Sequence, residues 1–559
     1  MITIQPQYLT LAKLLDGRLF QIPEYQRAYS WTSHQRQDLF DDIEKTHAKG
    51  LDEGHFMAAL VCLRRTSQLL GTNEYHVMEV VDGQQRLTTL IILLNAIKLL
   101  ALGIKEKPTQ KLGNELGELL VKVEGDELLL LQTNHDSSHH FSNYLRLGAA
   151  PASNASTTLA DREILQAIEE CRDFVSQWTE NGKTLAELVS LLKNRLFFLL
   201  HEIDDEKAVY TVFEVLNSRG LDVSWLDRLK SILMGAAFEL KKGNPRGLTK
   251  ELHTIWRDIY SVIGLRQGLS TEALRFAATL RLADAPHRPL GEQDSVDLLR
   301  SQANGAKNIR TVASWLLQVT TACDTVLAQP RINAVTRISQ ARLLATAISL
   351  RDDLKENERK KLLGCWERVT FRIYGMLGND ARTRVGDYVR LAWQVINEKP
   401  TVKAIEAAIK SIGVDFPIDL AIEKMRNQNR YEGWETELRY FMFRYEESLA
   451  KRQGLNFSNE QWNKIWLVSP TESIEHIWPK SKAKEKYKHR LGNLILLPPK
   501  LNSKLQDRDP GEKVDEYRKT GLLIASEVAD TIDESGWNGK LIDTREESLL
   551  DWARTEWAD

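Results

Sequence analysis

Three polar residues near the C-terminus follow one another in an order that suits phosphodiester hydrolysis. A short apolar run contains Glu475 and His476, a second run contains Asn493, and Asn502 lies in the stretch that follows. A hairpin followed by a helix can bring His476, Asn493 and Asn502 to one point. There a neutral imidazole can take a proton from water, an amide can fix the histidine loop, and oxygen ligands can hold a divalent metal ion. A purely structural Glu-His pair is the alternative.

A basic stretch, 480–490, lies between the two apolar runs. Glu485 is its one acidic residue, against six basic residues. Such a surface attracts phosphates, although the whole chain has a net charge of only −2. An ordinary solvated face is the alternative. The basic residues are Lys480, Lys482, Lys484, Lys486, Lys488 and Arg490.

Two polar clusters near the N-terminus could bind a ligand. The first, at 22–31, groups Tyr25, Gln26 and Arg27 around a proline, with hydrogen-bond donors and rings that can stack. The second, at 80–88, lies where a strand-like run gives way to a helical pattern. Aromatic residues that only anchor the N-terminal segment are the alternative for the first cluster.

The second cluster has the features of an anion site at the start of a helix. Free N–H groups at a helix N-terminus favour an anion, Gly83 lets the backbone approach closely, and Arg86 can contact phosphate. Asp82 could hold a metal ion or a water molecule. An ordinary Asp-Gly turn with a helix cap is the alternative.

A third polar segment, 212–222, ends a helix-like run with Asn217, Ser218, Arg219 and Gly220. A helix that ends at a glycine explains this pattern. The asparagine and the arginine could instead complete a phosphate or base pocket.

The hydrophobic pattern predicts the elements that position these residues. It predicts strands at 56–63 and 75–81 and a helix that starts at Gln84. From about residue 155 to 445 it predicts helices almost throughout. The clearest of these are 161–178, 184–200, 272–282 and 335–350.

The pattern changes again after about residue 450 and predicts a separate C-terminal domain. This domain should contain a strand at 494–497. Its last helix, 541–557, has one apolar side and one charged side, as expected of a helix that packs against a core.

Composition excludes several classes of protein. The chain has 559 residues, a length that favours about three or four domains or fewer large ones, and its 42% hydrophobic and 27% charged residues are typical of folded proteins. Its four cysteines form no CxxC pair, which argues against a zinc ribbon or a disulfide framework and fits a reducing cytoplasm. The N-terminus lacks a signal-peptide pattern, and polar residues interrupt the apolar stretch 87–104. We therefore expect a cytoplasmic protein without a membrane partner, in which this stretch is a buried helix.

These motifs together resemble the GmrSD family of type IV, modification-dependent restriction systems. The matching segments are 22–27, 82–86, 213–220, Glu475-His476, 491–494 and Asn502. The resemblance implies an α+β, mainly helical fold with three domains. A ParB/sulfiredoxin-like domain (1–235) would bind and hydrolyse NTP, a helical domain (236–445) would be a scaffold, and a ββα-metal HNH domain (446–559) would cleave DNA.

The resemblance also implies roles for single residues. His476 would be the general base, Asn493 would orient it, and Asn502 would act in catalysis and, with Glu475, at the metal. Asn502 stands where many HNH enzymes have a histidine, and asparagine is usual there in this family. The implied nucleotide site consists of Tyr25, Gln26, Arg27, Asp82, Gly83, Gln84, Gln85 and Arg86. The implied cofactors are Mg²⁺ or Mn²⁺ and an NTP.

The favoured hypothesis is an NTP-regulated, metal-dependent DNA endonuclease or nickase of bacterial anti-phage defence. Its partners would be an NTP and double-stranded, modified phage DNA, and a homodimer would suit cutting of both strands. The alternative is a nucleotide-dependent DNA-binding switch without cleavage activity, because ParB-like folds elsewhere act as NTP-controlled clamps. A weaker third hypothesis is a toxin that cleaves host nucleic acid.

Overall fold

A computed structural model describes residues 5–559 except 24–25, 27, 51–52, 71, 125, 134–138, 157, 204–223, 239, 241–243, 267, 330–331, 456 and 458–459. The chain divides into two compact units. Unit 1 comprises Met1–Leu274 and Glu292–Leu317, and unit 2 comprises Arg275–Gly291 and Gln318–Asp559. The predicted α+β, mainly helical class is confirmed. The predicted boundaries at residues 235 and 445 stay predictions.

Unit 1 contains, within its described residues, a mixed seven-stranded sheet and a separate two-stranded sheet. The strands are β1 (Gln5–Thr10), β2 (Arg18–Ile22), β3 (His55–Arg64), β4 (Gln68–Leu70), β5 (Asn73–Asp82), β6 (Val121–Glu124), β7 (Asp126–Leu129), β8 (Leu131–Thr133) and β9 (Leu196–Ile203). The large sheet has the order β1-β9-β3-β5-β2-β8, and β4 pairs with β5. In it, β3 runs antiparallel to β5 and parallel to β9.

Helices form most of the rest of the described chain. The first group is α1 (Leu11–Leu15), α2 (Ser33–Ala48), α3 (Gln84–Gly103), α4 (Lys107–Leu120), α5 (His140–Leu147), α6 (Leu159–Glu180), α7 (Leu185–Arg195), α8 (Trp225–Phe238), α9 (Pro245–Ile263), α10 (Leu269–Thr279), α11 (Glu292–Gln302) and α12 (Ala306–Leu327). The second group is α13 (Asn333–Thr336), α14 (Ser339–Leu350), α15 (Glu356–Thr370), α16 (Val385–Asn397), α17 (Val402–Ile412), α18 (Ile418–Met425), α19 (Glu435–Arg452), α20 (Glu460–Trp466), α21 (Pro470–Ser473), α22 (Glu485–Lys488), α23 (Pro499–Leu505), α24 (Pro510–Lys519), α25 (Leu523–Ser535) and α26 (Gly539–Glu556).

The turn between β5 and α3 requires a glycine. Gly83 has φ +89°, in the left-handed region, and a Cβ there would lie 2.7 Å from the Leu60 side chain and 3.1 Å from the Ala59 carbonyl oxygen. Only a residue without a side chain fits both the conformation and the space. The two predicted strands and the helix start at Gln84 are confirmed.

Helix α3 packs against α4 and α6 in the core of unit 1. Within the described residues, it is the one helix long and apolar enough to cross a membrane. However, 72% of the most apolar stretch of this helix is buried inside the protein, which is expected of a core helix. The predicted burial of this stretch is confirmed. All four cysteines are buried and free, as expected.

The predicted helix 184–200 is wrong in its second half. Helix α7 begins at a capping box formed by Thr184 and Glu187 and ends at Arg195. The next residues form β9, which lies between β1 and β3 and alternates buried and partly exposed side chains up to His201. A continuous apolar run of this kind fits both the helical and the strand pattern of buried residues. Here the pairing with two distant strands favours the extended form.

Unit 2 is helical apart from one hairpin among its described residues, β10 (Ile474–His476) and β11 (Leu494–Leu496). The predicted strand at 494–497 and the closing helix at 541–557 are confirmed. The predicted helix 335–350 is interrupted, since α13 ends at Thr336 and α14 begins at Ser339.

Candidate functional site

The β10–β11 hairpin carries two of the predicted catalytic residues. The strands run antiparallel, with His476 opposite Leu494. Beyond this pair, Ile477 N donates to Asn493 O at 2.9 Å. The predicted hairpin therefore forms, and it places His476 at the end of β10 and Asn493 directly before β11.

Asn502 joins the following helix to the first strand. It lies on α23, and its side-chain amide donates to the carbonyl oxygens of Glu472 and Ile474 at 2.9 and 3.1 Å. Its Oδ1 accepts no hydrogen bond from the described part of the chain. Asn502 thus holds α23 against the hairpin through one end of its amide.

His476 belongs to a layered cluster of rings. Its Nε2 lies 3.0 Å from Nδ1 of His489. The ring of Tyr431 stacks on His489 at 5.0 Å and 11° and meets His476 edge-on at 4.7 Å and 68°. The exposed Lys480 places its ammonium group 3.9 Å from the centre of the Tyr431 ring.

The surroundings of both imidazoles favour the neutral form. Burial, with a smaller contribution from positive charges such as Lys480, lowers the pKa of His476 to about 2. Burial also lowers the pKa of His489. A neutral imidazole is the form that can accept a proton from a reacting group.

Asn493 closes the loop that follows His476. It is fully buried, and its Oδ1 accepts from Trp478 N at 2.8 Å. Its Nδ2 donates to the carbonyl oxygens of Trp478 and Lys488, both at 3.0 Å. Because one amide bonds both ends of the loop, Asn493 fixes the segment between the two strands.

The turn before β11 is pressed against the last helix. A Cβ on Gly492 would collide with the carbonyl oxygen of Ile542 on α26. From the same helix, Arg545 donates through Nη1 to the carbonyl oxygens of Gly492 and Leu494 at 2.8 and 3.0 Å. Gly492 is therefore required for close approach, and Arg545 clamps the turn.

Glu475 lies on the other face of β10 from His476, because neighbouring residues of a strand point to opposite faces. Its carboxylate is buried and accepts from Lys513 Nζ at 2.6 Å and from the Tyr517 hydroxyl at 3.0 Å. Burial raises the pKa of Glu475, and the Lys513 ammonium opposes that shift. Lys513 also donates to His476 O at 2.9 Å, so this ion pair supports the strand that carries the histidine.

The predicted metal ligands, Glu475 and Asn502, are not arranged as a formed metal site. Within the described residues, no three His, Cys, Asp or Glu side chains form a group that could hold a metal ion. Asn502 Oδ1 can accept a cation, whereas Glu475 would first have to release Lys513. The metal roles of both residues stay predictions.

Half of the basic stretch 480–490 is neutralised locally. Lys482 pairs with Asp509, Lys488 with Glu485, and Arg490 with Glu546. The other three side chains are exposed and form no ion pair with any residue that the structure describes. They are Lys480, Lys484 and Lys486.

The predicted nucleotide residues of unit 1 meet at the start of α3. Asp82 ends β5, and Gly83 caps the helix. The first bond of the helix runs from Leu87 N to Gly83 O, so the N–H groups of the first turn lie outside the helical ladder. Gln84 begins the helix with a buried side chain.

Gln26 and Gln85 bond the main chain around this turn. Gln26 Nε2 donates to Val81 O at 2.5 Å. Gln85 accepts from Ser30 N at 2.8 Å and donates to Ala28 O at 3.2 Å. Gln26 therefore attaches the described part of the 22–31 loop to the end of β5, and Gln85 attaches it to α3.

Arg86 is the predicted residue best placed to contact an anion. Its guanidinium lies 5.4 Å from the centre of the Trp31 ring, and its Nε is buried without a partner in the described chain. Burial lowers the pKa of Arg86. Tyr25, Arg27 and the segment 213–220 lie outside the described residues.

Four residues that sequence reasoning did not single out complete these sites. His489 lies within the basic stretch 480–490 but is not one of its six basic residues, although a second histidine close to Asn493 is a usable signal. Tyr431 and the buried Lys513 carry no local signal, because they reach the site only through the fold. In unit 1, Lys230 donates from α8 to Gln26 O at 3.1 Å.

Comparison with known families identifies both ends of the chain. The N-terminal domain of the GmrSD restriction endonuclease family matches residues 11–234, and its C-terminal domain matches residues 418–552. The second match begins upstream of Tyr431. No curated protein matches the chain. A restriction nuclease role, with DNA as the substrate, follows from the two matches. The chain belongs to the GmrSD family of restriction endonucleases.

Proposed function

We propose that the hairpin of unit 2 is an HNH-type nuclease site with His476 as the general base. The observation that carries this proposal is the buried imidazole of His476 on a hairpin whose loop is fixed by Asn493. His476 takes a proton from water as the water oxygen bonds to phosphorus. The bond from phosphorus to the leaving sugar oxygen breaks, and that oxygen takes a proton from solvent. The exposed Lys480, Lys484 and Lys486 hold the DNA backbone.

Cleavage also requires Mg²⁺ or Mn²⁺ in this proposal. When bound, such an ion polarises the phosphate and stabilises the leaving oxygen. Asn502 is the better-placed of the two predicted ligands, since its Oδ1 is not used within the described chain, whereas Glu475 is held by Lys513. EDTA should therefore abolish DNA breaks, and either ion should restore them.

The test uses the full-length chain, unmodified plasmid and several modified phage DNAs, with each metal ion and with and without each NTP. His476→Ala should lower the cleavage rate by about 10²- to 10⁴-fold. His287→Ala, at an exposed histidine of the same unit, is the matched control and should cleave normally. If no condition gives breaks while DNA binding responds to NTP, the chain is a nucleotide-dependent DNA-binding switch instead.

We infer that an NTP binds at the start of α3, in a ParB/sulfiredoxin-like domain, and that its hydrolysis controls the nuclease. The N–H groups of the first helical turn face a position where an anion is favoured, and Arg86 has an unused N–H group beside it. Gly83 makes the left-handed turn that leads into this helix, and the amides of Gln26 and Gln85 hold the loop beside it.

Arg86→Ala should weaken NTP binding by about tenfold or more, because a hydrogen bond to a charged group contributes about 1.5–3 kcal/mol. Arg172→Ala is a matched control in unit 1, since Arg172 also lies over an aromatic ring, that of Tyr144. Equal NTP affinity of both variants in a calorimetric titration would contradict the proposed site.

In the cell, we propose that the protein acts in the cytoplasm against modified phage DNA. Comparing phage DNAs with and without each modification identifies the one that triggers cleavage, because only its removal should abolish the breaks. Toxicity of the wild type, but not of His476→Ala, in cells without phage would instead indicate a toxin that cleaves host nucleic acid.

A further inference from the structure

We propose that His489 is a positioning residue that holds His476 in its base-competent tautomer, and that the Tyr431 ring keeps His489 in place. This inference rests on the proposed role of His476 in cleavage. It adds two residues to the nuclease site, and one of them lies before the hairpin and outside the segment 446–559.

The hydrogen bond between the two imidazoles decides which nitrogen of His476 can accept a proton. The facing atoms, His476 Nε2 and His489 Nδ1, are 3.0 Å apart, so one must carry a hydrogen and the other a lone pair. If His476 Nε2–H donates, its Nδ1 has a lone pair and can take the proton from water. In the opposite arrangement His476 Nδ1 carries the hydrogen, and the base cannot act.

The surroundings of His489 favour the first arrangement. His489 is half-buried, and no residue that the structure describes bonds its Nε2. Solvent can therefore accept a hydrogen bond from Nε2–H, which leaves Nδ1 as the acceptor for His476. When His476 gains a proton at Nδ1, its bond to His489 becomes charge-assisted and stabilises the imidazolium.

Tyr431 fixes the plane of His489. The two rings are nearly parallel, at 11°, and the edge contact to His476 sets the angle between the imidazoles. The main chain next to Tyr431 is also attached, since Arg430 N donates to His489 O at 2.8 Å. The Tyr431 hydroxyl donates to no residue within the described chain, so the ring carries this role.

The test compares His489→Ala, His489→Asn and His489→Gln in the full-length chain. An asparagine amide falls near the position of Nδ1, whereas a glutamine amide falls near Nε2 and cannot meet His476 in the same way. His489→Ala and His489→Gln should lower kcat by about 100-fold with KM changed by less than about twofold. His489→Asn should retain kcat to within about tenfold of wild type, and added imidazole should raise the kcat of His489→Ala.

Tyr431 offers a second pair of variants. Tyr431→Leu should lower kcat severalfold more than Tyr431→Phe, which keeps the ring, and neither variant should change DNA affinity. Thermal unfolding of each variant shows whether it is folded. If His489→Ala does not fold, the comparison of asparagine with glutamine decides.

Two results overturn the inference: equal kcat for His489→Asn and His489→Gln, or wild-type kcat for His489→Ala. A different result would overturn the proposed nuclease itself, namely His476→Ala that cleaves as well as wild type. The two failures are therefore distinguishable in one set of assays.

Discussion

The two candidate sites use amide side chains in the same way but differ in what those amides support. In unit 2, Asn493 bonds both ends of a loop beside His476, and the imidazole remains available for chemistry. In unit 1, Gln85 bonds the 22–31 loop, whose Gln26 and Tyr29 side chains are themselves bonded inside the unit. A motif residue can thus be needed because it builds a loop, without touching the ligand.

The sharpest test of this comparison is Asn493→Ala against Gln85→Ala. Loss of the Asn493 amide frees the loop that positions His476, so kcat for DNA cleavage should fall about 1,000-fold. Gln85→Ala should leave NTP-free cleavage within about twofold of wild type and weaken only NTP binding. Similar loss of NTP-free cleavage in both variants would break the comparison.

A second prediction concerns the buried ion pair behind the hairpin. Lys513→Met leaves the Glu475 carboxylate buried and unpaired, so the free energy of unfolding of unit 2 should fall by about 3 kcal/mol. Adding Glu475→Leu to Lys513→Met should restore most of the lost free energy of unfolding. Lys482→Met, which breaks a surface pair with Asp509, should change it by less than about 1 kcal/mol in the same urea titration.

The double variant also separates two roles of Glu475. If it is stable and still cleaves DNA, Glu475 is a structural residue. If the double variant is stable but inactive and no longer binds added Mn²⁺, Glu475 releases Lys513 and binds a metal ion during the reaction.

A third prediction uses pH, because the unit 1 clusters contain no histidine. The folded chain keeps His476 neutral, whereas the unfolded chain protonates it near pH 6.5. Protons therefore favour the unfolded state, and the free energy of unfolding of unit 2 should fall by about 2 kcal/mol between pH 6.5 and pH 5. His476→Gln should remove most of this dependence and leave the smaller part that comes from His489, whose pKa burial also lowers. An unchanged slope would show that other groups cause it.

The smallest expected effect concerns DNA binding by the basic stretch. Lys484→Gln and Lys486→Gln remove exposed charges that form no ion pair within the described residues, so each should weaken binding a few-fold and lower the slope of log Kd against log salt by about one. Lys482→Gln, at a lysine already paired with Asp509, should have less effect. Equal slopes for all three variants would show that local ion pairs do not decide which lysines bind phosphate.

Local sequence signals predicted the parts of both sites that depend on neighbouring residues. The change from strand to helix at Gly83 follows from the glycine and from the change in the spacing of apolar residues. The hairpin next to Asn493 follows from two short apolar runs. The opposite orientation of Glu475 and His476 was also predictable, because adjacent strand residues alternate in direction.

Long-range contacts determined what sequence could not show. Strand β9 forms because β1 and β3 pair with it from far away in the chain. Tyr431 and Lys513 likewise reach His476 from segments on either side of the hairpin. No periodicity within those segments indicates which ring or ammonium group they will meet.

The contact between Gly492 and α26 has a consequence for biosynthesis. The hairpin leaves the ribosome before Arg545 and Ile542 have been made, so a growing chain carries an unclamped turn. Translation proceeds at about 5–20 residues per second, which makes this interval a matter of seconds. The contacts that hold the turn before β11 therefore form only after α26 has been synthesised.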